Sequence, residues 1–255
     1  MNHIRNRTAL SWAFLIASAV VGQATATAQT TEYHQPLHER LPPGFTADTL
    51  ARVRHYDPMW LQPVRVELPS EGVVSVYSAT PQPLAMIAAP AQFSVSAGHL
   101  YRLRISDMPE FPGVEIFPSI EILDRLHPPH GAAANYPIPI VLTQADLRDA
   151  VAGALVTRVI YLENPRLAAA VDPLRRESPH TVDPTRNALQ EADQMGRAMI
   201  IVRIGGRIPS DPNLPLSYYG SGGAFDPGES IPVNAGVVTL SDKPTAKKAL
   251  ASRGR

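Results

Sequence analysis

The sequence predicts a mainly β, α+β protein: an antiparallel β-sandwich with two short helices packed near its C-terminal half. Three observations lead there. Proline is abundant, 26 in 255 residues, roughly twice its ordinary ~5% share, and each internal proline removes a backbone donor and clashes with the preceding helical turn. Apolar and polar residues alternate with a period of two through several short runs, the mark of a half-buried strand. Turn residues separate those runs at close, regular spacing, as in sandwiches.

The chain opens with Arg5 and Arg7, then the apolar run "ALSWAFLIASAVVG" (residues 9–22), then Ala24-Thr25-Ala26 and Ala26-Thr27-Ala28 as small-residue cleavage motifs. That order reads as a secretory signal peptide over residues 1–28. The apolar run is shorter than the ~20 residues of a membrane span, so no span is expected after cleavage. Residues 29–61 are polar, proline-punctuated and without a sustained period, and read as a loosely ordered leading segment.

Strand signals begin near Gln62. "VRVELP" (64–69) alternates Val64, Val66 and Leu68 against Arg65 and Glu67; "GVVSVYS", "PLAMIAAP" and "QFSVS" follow, bounded by turn residues. "LYRLRIS" (100–106) puts Tyr101, Leu103 and Ile105 on one face and Arg102 and Arg104 on the other. "GVEIFPSIEIL" (113–123) repeats the alternation, with Pro118 marking a bulge or edge.

The second half mixes helix and strand. "YPIPIVL" carries prolines that place it at an edge or a strand start. "TQADLRDAVAG" reads as a helix capped by Thr143, with Asp146 in its first turn and Leu147, Ala150, Val151 and Ala154 on one stripe. "LVTRVIYLENP" is an apolar strand stopped by Asn164-Pro165. The spacing predicts a second helix over "TRNALQEADQM", with Asp183 as N-cap, Pro184 at the first helical position and Ala188, Ala192 and Met195 on one stripe. "AMIIVRI" is a near-continuous apolar strand, which belongs in a buried central position. A single β-rich domain is thus expected over residues 62–209. Residues 210–255, rich in Pro, Gly and Ser and then basic, read as a disordered tail.

The hairpin "VSAGHLYRLRI" resembles that of transthyretin-like and carboxypeptidase-regulatory-like sandwiches, in which a turn glycine precedes an alternating Tyr-x-Leu-x-Ile strand. "SDMPEFPGVEIFPSIEIL", "YPIPIVLTQADLRDAVAGALVTRVIYLENP" and "DPTRNALQEADQMGRAMIIVRIGG" resemble blocks in a group of uncharacterised secreted bacterial proteins, over residues 62–207. The resemblance implies a shared domain and an envelope or extracellular setting. It implies no activity and no site residue.

Composition removes several chemistries. The chain has no cysteine, which excludes disulfides, thiolate metal sites, a cysteine nucleophile and a lipid-attached cysteine. Its formal net charge is zero, so no nucleic-acid partner is expected. No cofactor motif is present: there is no P-loop, no glycine-rich dinucleotide fingerprint follows a strand, and no helix follows the glycines of "RIGGRIP".

The candidate site residues are few. His127-Pro128-Pro129-His130 could bring two imidazoles to one side of an extended segment, so His127 and His130 are the candidate metal ligands. No acidic or histidine third ligand lies near in sequence, and a stiff turn between two strands is the preferred reading. His34 and His38 have helical i, i+4 spacing but flank Pro36, while His55, His99 and His180 are isolated. Ser221 in "GSGG" lacks the G-x-S-x-G spacing of a nucleophile elbow. Asp107 and Glu110 read as turn formers, and Glu115 and Glu121 as solvent-face strand positions. Lys243, Lys247, Lys248, Arg253 and Arg255 form a solvated basic tail. Aromatics are scarce, with Tyr218 and Tyr219 the only adjacent pair, which argues against a carbohydrate-binding module.

No catalytic residue and no cofactor is therefore assigned from sequence. The function expected is that of an exported, non-catalytic, envelope-associated or extracellular binding or structural protein, secreted or periplasmic, with another envelope protein or polymer as partner. The alternative is an envelope-polymer hydrolase using dispersed carboxylates and histidines. A concave pocket of acids and histidines would favour the enzyme, and an exposed apolar patch or open strand edge the interaction protein.

Overall fold

The computed structural model describes residues 36–167, 179–206 and 213–228. The signal peptide expected over residues 1–28, His34 and the basic residues of the tail lie outside them. All elements below fall within the unit Leu37–Arg255. In chain order they are α1 (Phe45–Arg54), β1 (Leu61–Glu67), β2 (Val73–Tyr77), β3 (Ala85–Ala88), β4 (Ala91–Ser96), β5 (Leu100–Ser106), β6 (Ser119–Ile122), β7 (Ile138–Val141), α2 (Gln144–Val151), β8 (Val156–Glu163), α3 (Ala188–Met195), β9 (Gly196–Ile204) and β10 (Phe225–Asp226). Among the described residues no helix is long and apolar enough to cross a membrane.

The protein is mainly β, and its strands form two sheets. One has four strands in the order β10-β4-β1-β7, the other six in the order β3-β2-β5-β6-β9-β8. Pairing is antiparallel except between β1 and β7, which run parallel with Val64 opposite Ile138 and Val66 opposite Ile140. That pair departs from the wholly antiparallel expectation. β7 is an outer strand, and its Pro139 sits there without costing a central ladder bond.

Alternation does what the sequence asks of it. Val64, Val66, Phe93, Val95, Ile138 and Ile140 from the four-stranded sheet pack against Val74, Val76, Tyr101, Leu103, Ile105, Ile120, Ile122 and Val202 from the six-stranded one, in a single core. Helix α2 closes one end through Leu147 and Ala150. Its N-terminus carries a reciprocal capping box: Asp146 N–H donates to Thr143 Oγ1 at 3.2 Å, and Thr143 N–H donates to Asp146 Oδ2 at 2.9 Å. Arg158 on β8 also binds the Asp146 carboxylate, tying the helix to the sheet. Burial raises the Asp146 pKa, but the Arg158 and Thr143 hydrogen bonds outweigh it and hold the carboxyl below its ordinary range.

A second, smaller core lies on the opposite face of the six-stranded sheet. Leu123, Ala198 and Ile201 there meet Ala47 of α1 and Leu189 and Ala192 of α3, with Leu37, Leu50, Val159 and Tyr161 at the margin. The segment over residues 29–61 is therefore not loose where it is described: it carries a third helix, α1, with Thr46 and Ala47 fully buried. Gly44, the residue before that helix, has no side chain to cap it. The cap comes from the sheet, where Glu121 Oε1 accepts the Ala47 N–H at 2.8 Å.

Glu121 is thus a correction to the solvent-face reading, being fully buried. Its neighbours Ile120 and Ile122 point into the main core, which turns Glu121 to the other face, and that face is covered by α1. Arg203 of β9 pairs with it, Nη1 to Oε2 at 2.7 Å. The same guanidinium donates to the carbonyls of Glu39 (2.9 Å) and Leu41 (3.3 Å). Glu39 in turn accepts the Ala188 N–H at 3.0 Å, and Asn187 Nδ2 donates to the Leu37 carbonyl at 2.8 Å.

Helix α3 begins later than expected, because its N-cap is Asn187 and not Asp183. Asn187 Oδ1 accepts the N–H groups of Leu189 (3.0 Å) and Gln190 (3.2 Å), while Asp183 captures Thr185 N–H at 2.8 Å in a separate turn. Leu189 and Ala192 are the buried stripe. β9 is central, between β6 and β8, as its unbroken apolar run requires. Residues 213–228 also depart from the disordered reading: they carry a 3₁₀ turn at Leu216–Tyr219 and the short strand β10. Packing therefore extends beyond residues 62–209 at both ends.

Removing Glu121 strands Arg203 and the Ala47 amide in a buried site. Glu121→Ala should lower the unfolding free energy by about 3–5 kcal/mol, read as a fall in the urea midpoint. The double variant Glu121→Leu/Arg203→Met should recover most of that loss, because the cost lies in leaving one charge unpaired.

Candidate functional site

A cleft of about 350 Å³ opens between the C-terminal end of α1 and the β4–β5 turn. His55, Tyr56, Asp57 and Pro58 form one wall, and Ser96, Ala97 and His99 the other, with Ala51 between them. The two walls are held together tightly. Gly98 at the turn has φ +83°, and a Cβ there would fall 2.6 Å from the Ala51 Cβ, so only glycine lets the helix rest on the turn.

His55 ends α1 in a left-handed conformation, φ 49°, with its N–H donating to the Ala51 carbonyl at 3.1 Å. The chain turns sharply there and brings Tyr56 and Asp57 to the cleft. Tyr56 Oη donates to the Leu123 carbonyl, and Arg54 beside it pairs with Asp124. Burial pushes the Tyr56 phenol up, against the opposing pull of the Arg54 hydrogen bond. Asp57 Oδ1 accepts the Met59 N–H at 2.9 Å, fixing the turn that leads into β1.

Ser96 and His99 of that far wall are backed by residues 213–228, which run as a strap from one sheet to the other. Gly220 forms a bridge with Tyr101 of β5, and Phe225 pairs with Val95 of β4. Tyr101 Oη donates to the Ala224 carbonyl at 2.6 Å and accepts the Ser96 N–H at 2.9 Å. Burial drives this phenol up to about 12, against the pull of its hydrogen bonds to Ser96. Gly223 lies flat on this tyrosine: a Cβ would sit 2.2 Å from Tyr101 Oη and 2.7 Å from the His99 ring. "GSGG" is thus a close-approach sequence.

The strap brings Ser221 to His99. Ser221 Oγ lies 3.3 Å from His99 Nδ1 and accepts the Leu100 N–H at 2.8 Å. His99 is half-buried, and burial lowers its pKa below the ordinary value, with a hydrogen bond to the Ser221 backbone and the charge of Asp48 pulling the other way. The imidazole therefore stays neutral at neutral pH. No local signal marks this pair, since the two lie 122 positions apart in the chain and neither sits in a known motif.

The other sequence candidates stay apart. His127 and His130 are exposed in the loop joining β6 to β7. Among the described residues no three of His, Asp and Glu converge as a metal-ligand set. His38 lies beside Glu39 at 3.0 Å, away from the cleft lining, and His180 is exposed. Asp107 has φ 56° and accepts the Ser106 hydroxyl, and Glu110 accepts Ser70, both in turns. Glu115 pairs with Arg104 at 3.4 Å. Tyr218 and Tyr219 are engaged internally, edge to face at 5.2 Å, with Arg102 stacked 4.3 Å over Tyr218 and Tyr219 against Tyr77.

A second feature is the open side of β8. Among the described residues this eight-residue strand pairs only with β9. Its sequence "VTRVIYLE" has no proline and no lysine, and the exposed Leu155 and Leu162 lie at its two ends.

Searches against protein-family models, curated proteins and solved structures found no match to this chain.

Two outcomes follow from the strap. Gly223→Ala should destabilise the protein by about 1–3 kcal/mol, the usual cost of overpacking, read as a lower Tm and faster proteolysis within residues 213–228. His99 sets a pH dependence whose sign is fixed. Its folded pKa lies below the unfolded value of about 6.5, so between the two the unfolded chain binds the extra proton and stability rises with pH. Urea midpoints should fall as the pH is lowered through about 6.5, and His99→Gln should remove that part of the slope.

Proposed function

We propose that this is an exported binding protein of the bacterial envelope or its surroundings, and that the cleft takes a polar unit of an envelope polymer. The observation that carries this is the lining of the cleft. His55, Asp57 and His99 offer hydrogen-bonding groups around a space of about 350 Å³, with Tyr56 and Pro58 as flat apolar surfaces. Convergent polar groups on a partly apolar wall suit a hydroxyl-rich ligand better than a lipid. Export rests on the leader at residues 1–28, and the lack of cysteine makes no demand on disulfide formation.

The open side of β8 favours a second reading, in which a partner polypeptide adds a strand to the six-stranded sheet. Both faces of β8 are occupied, Val156 and Ile160 by the main core and Val159 and Tyr161 by the smaller one. That leaves the backbone edge as its free surface. Backbone pairing along such an edge gives affinity without a deep pocket.

Titration of the full chain with soluble peptidoglycan fragments and oligosaccharides tests the first reading. Binding should weaken by about tenfold or more, ~1.4 kcal/mol, in His55→Ala/Asp57→Ala. Equal binding by that variant, or none by the native protein, removes the cleft from the proposal. The second reading is tested by crosslinking in intact cells. Leu155→Lys/Leu162→Lys should abolish recovery of a partner that the native protein captures, while an unchanged yield counts against the edge.

A further inference from the structure

We propose that Ser221 and His99 act as a serine nucleophile and its base at the rim of the cleft, hydrolysing acyl esters carried on hydroxyl-bearing ligands. The pair stands on its own geometry. Only the identity of the alcohol rests on the reading of the cleft given above.

The serine is exposed, and the histidine lies half-buried between it and the cleft. Ser221 Oγ is 3.3 Å from His99 Nδ1 and accepts the Leu100 N–H at 2.8 Å. A hydroxyl has one proton and two lone pairs. In the tautomer that leaves Nδ1 unprotonated the hydroxyl proton is directed to it, and with one lone pair held by Leu100 the other is free to attack. The strap bends sharply around the serine, with φ 132° at Gly220 and 81° at Gly222, and leaves Ser221 exposed at the bend. Gly223 packs against the His99 ring, so the segment that carries the nucleophile also fixes the base. The Gly222 N–H, next after the serine, donates to no acceptor among the described residues. It is a donor available to an oxyanion. Burial keeps His99 neutral at neutral pH, the state a base needs.

The chemistry balances with water as the only co-reactant. Ser221 Oγ attacks the ester carbonyl carbon, and its proton passes to His99 Nδ1. The tetrahedral intermediate collapses as the bond from the carbonyl carbon to the alcohol oxygen breaks, and the departing alkoxide takes the proton from Nδ1. Water then attacks the acyl-serine, giving one proton to Nδ1, which returns it to Oγ as the carboxylic acid leaves. Among the described residues no carboxylate hydrogen-bonds the His99 ring. Turnover should accordingly be slower than in a three-residue site, and covalent capture is the better readout.

The full chain is treated with a fluorophosphonate and mapped by mass spectrometry. One adduct is expected, on Ser221, absent in Ser221→Ala and formed about a hundredfold more slowly in His99→Gln, the low end for loss of a general base. Acetyl transfer from p-nitrophenyl acetate should rise with pH through an ionisation below about 6.5. Ser221→Ala also loosens the strap, so the melting temperature of each variant is measured alongside. A native protein unlabelled at Ser221 overturns the proposal whatever the variants do, and so does a folded His99→Gln labelled at the native rate. Labelling at Ser221 without any binding of polymer fragments keeps the nucleophile and refutes only the cleft's ligand.

Discussion

Glu121 and Arg203 lie on adjacent strands of the six-stranded sheet, on the face turned away from the sandwich core, and almost everything outside the sandwich hangs from them. One carboxylate oxygen closes the N-terminus of α1, and the other holds the guanidinium. The guanidinium fixes the carbonyls of Glu39 and Leu41, and Glu39 reaches on to the first turn of α3. Two helices and the segment leading to them are thus positioned by one buried charge pair. Such a pair is costly to desolvate and is held by having every polar atom met. Its placement also determines the cleft, since α1 carries His55, Tyr56 and Asp57 at its C-terminal end.

The strap plays the corresponding part inside the sandwich. It joins β5 of one sheet to β4 of the other and covers the Tyr101 phenol, which lies at the boundary between them. Its glycines allow backbone contact that any side chain would block. Ser221 reaches His99 as a result of that contact, so the site and the closure of the fold share the same few residues.

The sandwich was legible because its signals are local. Alternation in "LYRLRIS" and "GVEIFPSIEIL" marks which residues face inward, proline marks an edge in "YPIPIVL", and the apolar run "AMIIVRI" marks a centre. The Thr143–Asp146 cap was legible for the same reason, being closed within four residues. Helix α1 was not. Its weak apolar stripe and the side-chain-free Gly44 offer no local signal, because the group that caps it comes from a strand 74 residues away. Glu121 misled by obeying the alternation rule: it does leave the main core, but it enters a second one. Asp183 looked like a cap and served a different turn, since Asn187 competes for the helix start and has Leu37 to bind as well. The Ser221–His99 contact depends on a distant chain crossing, and nothing in "GSGG" records which surface it will lie on.

The strap also bears on the order in which the molecule can assemble. Phe225 and the residues just before it supply the contacts that tie β4 to β5, yet they are among the last of the described residues to be synthesised. Until they arrive, Tyr101 lacks the Ala224 acceptor and the edge of β4 lacks its neighbour. The main contacts elsewhere are also distant in sequence, with Arg203 meeting Glu39 across 164 residues, and long-range pairing of this kind folds slowly. Completion of the native state is therefore postponed until nearly the whole described chain is present.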